Sequence, residues 1–149
     1  MVASTETLNI LLVEDDTADQ KLIKSMIAKQ ELAYDLCVAC SAEEALAVLR
    51  SSKSSNRGLT RPDLIILDLN MPGMGGREFL KHIKTSERLK QIPVVILTCS
   101  ASELDVQDSY KLQAAGFITK PAGLGELERV ISEIIKYWFM VCKLPCKEY

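Results

Sequence analysis

Leu64-Ile65-Ile66-Leu67 runs straight into Asp68-Leu69-Asn70. Four consecutive apolar residues leave no polar alternate for a solvent-facing side, so the segment reads as a central strand covered on both faces. Such a strand belongs to a parallel sheet with helices above and below it, and here it stops at a charge. Three other segments share the pattern: Leu12-Val13-Glu14-Asp15-Asp16, the run from Ile92 to Thr98, and Phe117-Ile118-Thr119-Lys120-Pro121. In a parallel α/β sheet the carboxyl ends of the strands share one edge, and ligands bind there. These four ends would gather Glu14, Asp15, Asp68, Thr98 and Lys120 around one point. Such a set suits a magnesium ion and a phosphoryl group, with a carboxylate at its centre.

Outward from that edge, apolar runs alternate with helical patterns five times, as repeated β-α units require. Strands are predicted at Asn9 to Val13, Tyr34 to Cys40, Leu64 to Leu67, Val94 to Thr98 and Phe117 to Thr119. Asp16 or Thr17 caps the first helix, with Gln20 three residues after Thr17 and an apolar stripe at Leu22, Ile23, Met26 and Ile27. Ser41-Ala42-Glu43-Glu44 forms a capping box before a helix that buries Ala45, Leu46, Val48 and Leu49. Ser51 to Pro62 reads as a long polar surface loop. Pro72-Gly73-Met74-Gly75-Gly76 makes a turn into a helix through Phe79, Leu80 and Ile83. A fourth helix runs from about Ser102 to Ala115, where Gly116 ends it. The last helix starts near Leu124, repeats apolar residues at Leu127, Val130, Ile131, Ile134, Ile135 and Trp138, and stops at Pro145.

The chain has 149 residues, which suits one domain, and 48% of them are apolar, enough for an ordinary core. We expect a single domain over residues 8–144, flexible termini at 1–7 and 145–149, and no output domain. A net charge of -2 gives no basic surface for nucleic acid or an anionic membrane. No apolar stretch approaches the roughly 20 residues of a membrane span. The first seven residues lack the basic and apolar regions of a signal peptide, and a cytoplasmic location is expected. Cys37 and Cys40 lie three apart in a strand, so they point to opposite faces and make a poor metal pair. No later His or Cys group completes a zinc site, and the five cysteines read as thiols of a reducing compartment.

With Glu14-Asp15 after the first strand, Asp68 and Met71-Pro72-Gly73 after the third, Thr98 after the fourth and Lys120-Pro121 after the fifth, the chain resembles the receiver domain of two-component response regulators. The resemblance covers nearly the whole chain. It implies a flavodoxin-like, doubly wound (βα)5 fold around a central five-stranded parallel sheet. It also implies a bacterial phosphoacceptor that is not a conventional enzyme, though it assists its own phosphorylation and dephosphorylation.

In this reading Asp68 is the nucleophile, held afterwards as an aspartyl-phosphate. Asp15 and Asp68 are direct Mg2+ ligands, the Asn70 backbone carbonyl is a third, and Glu14 acts through a water. Lys120 lies against Asp68 before phosphorylation and bonds a phosphoryl oxygen afterwards. The family's pattern implies a cis bond before Pro121. Thr98 turns its hydroxyl toward the phosphoryl group, and Phe117, at the family's aromatic switch position, follows it inward without a phenol hydroxyl. His82 is the only histidine and is expected on a helix surface, so the phosphoryl donor is another molecule. One departure stands out: Gly75 occupies a place where the family usually carries Asp, which adds backbone freedom without removing a catalytic group.

The Arg61-Pro62 loop end, Arg77-Glu78 and the Tyr137-Trp138 and Leu144-Pro145 ending are similar to stand-alone receivers paired with bacteriophytochrome-type sensor histidine kinases. That likeness implies a phytochrome-type kinase as partner, and a homodimer formed through the last helix and its neighbouring strand. Tyr137, Trp138, Phe139, Met140 and Val141 are five apolar residues in succession, too many for one core-facing stripe, and Tyr137, Trp138 and Phe139 are the expected dimer or partner surface. Output would pass to a downstream protein or phosphotransfer partner. Two other classes compete. A phosphorylation-independent docking adaptor is opposed by the complete set of Asp68, Thr98 and Lys120. A metal-dependent phosphatase commonly needs a second acid two residues after its nucleophile, where this chain has Asn70.

Overall fold

The computed structural model describes residues 7–51, 61–100 and 102–145. Most of the expected loop at Ser51 to Pro62, and most of the expected flexible ends at 1–7 and 145–149, lie outside the described residues. Strands β1 (Leu8–Val13), β2 (Tyr34–Ala39), β3 (Leu64–Leu67), β4 (Val94–Thr98) and β5 (Gly116–Thr119) alternate with helices α1 (Thr17–Ala28), α2 (Ala42–Ser51), α3 (Gly75–Thr85), α4 (Glu103–Lys111) and α5 (Leu124–Lys136). The strands form one sheet in the order β2-β1-β3-β4-β5, and every pairing is parallel. The chain leaves β1 toward one edge through β2 and returns to its other side with β3. That reversal opens a crevice at the carboxyl ends of β1 and β3.

Strand alternation divides the core in two. Leu11, Val13, Ile65, Leu67, Val94 and Ile96 face one layer, which contains the buried residues of α2 and α3. Ile10, Leu12, Leu64, Ile66, Val95 and Leu97 face the other, against Ile23, Met26 and Ile27 of α1 and Leu127, Ile131, Ile134 and Ile135 of α5. The continuous apolar runs of β3 and β4 are thus fully buried, as expected of strands covered on both sides.

Helix ends show where local reading needed correction. Asp16, not Thr17, caps α1: its Oδ1 accepts from the amides of Ala18 and Asp19. Gln20 instead donates through Nε2 to the Glu14 carbonyl at 2.6 Å. The expected cap on α2 is present, with Ser41 Oγ accepting from the Glu44 amide and Glu44 Oε2 accepting from the Cys40 amide. Helix α4 stops at Lys111, well before Gly116. Gln113 takes the left-handed conformation at φ 71°, and the amides of Gln113 and Ala114 donate to the carbonyls of Tyr110 and Ser109. That is a Schellman turn built without glycine, and it leaves Gly116 free to begin β5.

The last helix departs most from expectation. It passes after Lys136 into a π turn, Tyr137–Val141, closed by the Cys142 amide donating to the Tyr137 carbonyl at 2.8 Å. Cys142 is already extended, so the helix stops before Pro145 has any part in it. The wider turn divides the five apolar residues: Trp138 and Phe139 pack against the α1/α5 core layer, while Tyr137, Met140 and Val141 remain exposed. Of the expected surface residues, Tyr137 is exposed, while Trp138 and Phe139 are half-buried.

Candidate functional site at the carboxyl edge

Glu14 and Asp15 follow β1, Asp68 follows β3, Thr98 ends β4 and Lys120 follows β5. Backbone hydrogen bonds place these positions side by side. The Asp68 amide donates to the Val13 carbonyl at 3.0 Å, and the Lys120 amide donates to the Thr98 carbonyl at 2.7 Å. Glu14, Asp68 and Thr98 are buried, at 2%, 6% and 0% exposure. Buried polar groups need partners, and each has found one.

Asp68 is held from three directions. Thr98 Oγ1 donates to its Oδ1 at 2.7 Å, the Asn70 amide donates to the same oxygen at 3.1 Å, and Lys120 Nζ stands 3.5 Å from Oδ2. Asn70 Nδ2 also donates to Thr98 Oγ1 at 3.3 Å, so the loop after β3 and the end of β4 are tied together. The Thr98 hydroxyl already points into the site.

Lys120 binds other acids more closely than Asp68. Its Nζ is 2.8 Å from Asp19 Oδ2 and 2.9 Å from Glu14 Oε2. Burial pushes this ammonium's pKa down, but hydrogen bonds to Asp19 and Glu14 and the charges of Asp68 and Glu14 outweigh it, and the net displacement is upward. Glu14 shows the converse. Burial raises its carboxyl to about 7, against the lowering effect of its hydrogen bond from Lys120, with the Asp68 charge adding to the rise.

The Lys120–Pro121 bond is trans, since the described residues contain no cis peptide. Trans is favoured at X–Pro bonds by about 0.5–1 kcal/mol, and three carboxylates orient the lysine without the other isomer.

The loop from Asn70 to Gly76 is shaped by glycine and by one distant acid. Gly73 and Gly75 have φ values of 78° and 75°, a region L side chains adopt only with strain. Gly75 is thus the residue that this turn geometry favours. A Cβ on Gly76 would lie 2.4 Å from the Asp68 carbonyl oxygen, so α3 reaches the strand end only because that position carries no side chain. Glu43, from α2, accepts from the Met74 amide at 2.8 Å, and that bond pulls its carboxyl below the ordinary range.

Glu14, Asp15 and Asp68 each offer a carboxylate oxygen within 4.8 Å of the others. Clustered hard oxygen donors fit a hard divalent cation rather than a soft one. Cys37 is partly buried and Cys40 exposed, and both are free thiols.

Sequence reading brought Glu14, Asp15, Asp68, Asn70, Thr98 and Lys120 to the right edge but missed Asp19. The available signal was its place in the first turn of α1, a helix that begins where β1 ends. Phe117 lies on β5, half-buried against the α2/α3 core layer, with its amide donating to the Tyr110 hydroxyl at 3.2 Å. His82 is exposed on α3, its Nε2 3.7 Å from Glu78.

A doubly wound parallel sheet with a buried aspartate, a hydroxyl and an ammonium converging at its carboxyl edge defines a phosphoacceptor domain. The chain belongs to the response regulator receiver domain family, whose model matches residues 10–132. It is 38% identical over 136 residues to response regulator Rcp1 of Synechocystis, covering 91% of this chain and 92% of that protein. Its structure is similar to that of the phosphorylated cyanobacterial phytochrome response regulator RcpA, at 39% identity and a TM-score of 0.88, covering 95% of this chain and all of that one. The Mn2+-bound form of Rcp1 matches with 37% identity and a TM-score of 0.85, over 93% and 99% of the two chains. The protein is a two-component receiver that accepts a phosphoryl group, and its acidic pocket is of the kind that binds a divalent metal. No helix among the described residues is long and apolar enough to cross a membrane.

Proposed function

We propose that Asp68 is the phosphoryl acceptor of this receiver, loaded from a phosphohistidine on a sensor histidine kinase. The observation that carries the assignment is the seat of Asp68, gripped by Thr98 Oγ1 at 2.7 Å and faced by Lys120 Nζ at 3.5 Å. An Asp68 carboxylate oxygen attacks the phosphorus, the phosphorus–nitrogen bond breaks, and the imidazole leaves with the electron pair. Glu14, Asp15, Asp68 and the Asn70 carbonyl are the group that would hold Mg2+. The cation supplies neutralisation of the phosphoryl oxygens, the main demand of this transfer. Lys120 contributes a further positive charge, and Thr98 passes its hydrogen bond from Asp68 Oδ1 to a phosphoryl oxygen. Phe117 responds as Thr98 moves, which carries the change to the surface of α4 and β5. The phosphoryl group shifts that balance only as far as it bonds Thr98 and Lys120 better in one state.

Residues 8–144 act as one receiver unit in this reading, in the cytoplasm. The likeness to RcpA, a phytochrome response regulator, supports a phytochrome-type kinase as donor. An open groove of about 630 Å3 between β5 and α5, lined by Ile118, Val130, Ile134, Tyr137 and Trp138 among others, supports a homodimer through the last helix. Output then passes to a downstream protein or phosphotransfer partner.

Intact mass after incubation with acetyl phosphate tests the assignment. Wild type with Mg2+ gains one phosphoryl group, and Asp68→Ala gains none. An adduct of equal yield on Asp68→Ala would place the acceptor elsewhere.

A further inference from the structure

The ammonium of Lys120 has three hydrogens and meets three carboxylates. It is 2.8 Å from Asp19, 2.9 Å from Glu14 and 3.5 Å from Asp68, so the longest contact is the one to the proposed acceptor. Nothing in the phosphoryl chemistry described above uses Asp19, yet it makes the shortest of the three contacts.

We propose that Asp19 is a positioning residue: it holds Lys120 back from Asp68 in the unphosphorylated protein and releases it when Asp68 carries a phosphoryl group. The inference rests on the assignment of Asp68 as acceptor.

The three acids differ in what it costs them to lose the lysine. The Glu14 side chain is only 2% exposed, and a buried carboxylate stripped of its partner carries a large desolvation penalty. The Asp19 side chain is 28% exposed, so water replaces the ammonium there more readily. Asp19 also occupies the first turn of α1, where the positive end of the helix dipole stabilises an anion without a counter-charge. It is the partner that Lys120 abandons at least expense. A lysine ammonium on a flexible stem, with three rotatable donors, suits movement between acceptors. A phosphoryl group on Asp68 brings extra negative oxygens within reach of Nζ and competes directly with Asp19. The Lys120–Asp19 bond therefore weighs against the phosphorylated state, by as much as it is stronger before the change than after it. It also links the site to α1, on the layer opposite α4.

The test is the affinity for beryllium trifluoride, a phosphoryl mimic, measured by 19F NMR with saturating Mg2+. Wild type, Asp19→Asn, Asp19→Ala, Lys120→Ala and the Asp19→Asn/Lys120→Ala double variant are compared, after thermal melts confirm that each is folded. Asp19→Asn binds the mimic about five-fold more tightly than wild type, equivalent to about 1 kcal/mol, and Asp19→Ala at least as tightly. The gain vanishes in the Lys120→Ala background, because Asp19 acts only through the lysine. Unchanged or weaker binding by both Asp19 variants would overturn the proposal, as would a gain that survives without Lys120. Asp68→Asn, included as a control, gives no bound signal. A bound signal from that control would instead strike at the acceptor assignment, separately from the role of Asp19.

Discussion

The carboxyl edge of the sheet and the β5–α5 groove of this receiver are built on opposite principles. At the edge, polar groups are buried and matched one by one: Asp68 with Thr98 and Asn70, Lys120 with Asp19 and Glu14. Along the groove, apolar groups stay in water. Tyr137, which lines it, is 53% exposed, and Met140 and Val141 farther along the same turn are 62% and 73% exposed. The first arrangement has strict geometry and fails when one partner is lost. The second is non-directional and waits for a surface to cover it. Whether the proposed assembly is independent of the chemistry is what substitutions in the two regions decide.

Asp68→Asn has the largest expected effect, a complete loss of the phosphoryl adduct in intact mass with molar mass by light scattering unchanged. Loss of both together would show that the two regions are not independent. Lys120→Ala comes next. It strands Glu14 and Asp68 without their cation, and urea denaturation of the metal-free protein is expected to show a loss of about 3 kcal/mol. Millimolar Mg2+ should recover much of that loss. Failure to recover would mean that the acidic cluster is not the metal's seat.

The π turn sharpens the comparison within one helix end. Trp138→Ala is expected to lower stability by about 2 kcal/mol, because Trp138 packs on the α1/α5 layer. Met140→Glu, 62% exposed in the native state, should leave the melting temperature unchanged while weakening self-association at least about tenfold. A monomeric wild type in light scattering would remove the dimer from this account and leave the fold of the turn untouched. Gly75→Ala is smaller still. The space around Gly75 is open, so only its φ of 75° resists a side chain, at about 1 kcal/mol in urea denaturation.

The smallest expected effect concerns pH. Glu14 has a carboxyl raised by burial to about 7 in the fold, against an ordinary value of 4.5. As pH rises from 4.5 the unfolded chain ionises this group first, so the favourable contribution of its protonated form is whole below 4.5 and lost as pH passes about 7. The melting temperature of metal-free wild type should therefore fall relative to that of Glu14→Gln across this window. Parallel curves would show that burial does not control Glu14.

The strand ends were legible in the linear sequence because each joins an apolar run to a charge, and a parallel sheet puts all such ends on one edge. Four consecutive apolar residues at Leu64–Leu67 declared a two-sided strand, and the motif residues after β1, β3, β4 and β5 then had only one place to meet. Helix ends were read less well. A Schellman turn at Gln113 carries no glycine to announce it, so Gly116 took the role on paper. Asp19 was missed because a charged residue in the first turn of a helix is ordinary until its facing partner, 101 residues away, is known.

From its sequence alone this protein is a five-stranded parallel receiver with its acidic site at Glu14, Asp15 and Asp68, since periodicity and charge placement are local properties that sheet topology converts into position. Only tertiary structure decided which carboxylate holds Lys120 closest and which side of Tyr137–Val141 meets water. Both depend on distances between segments remote in the chain, where a difference of less than 1 Å between acceptors, or one extra residue in a helical turn, changes the partner.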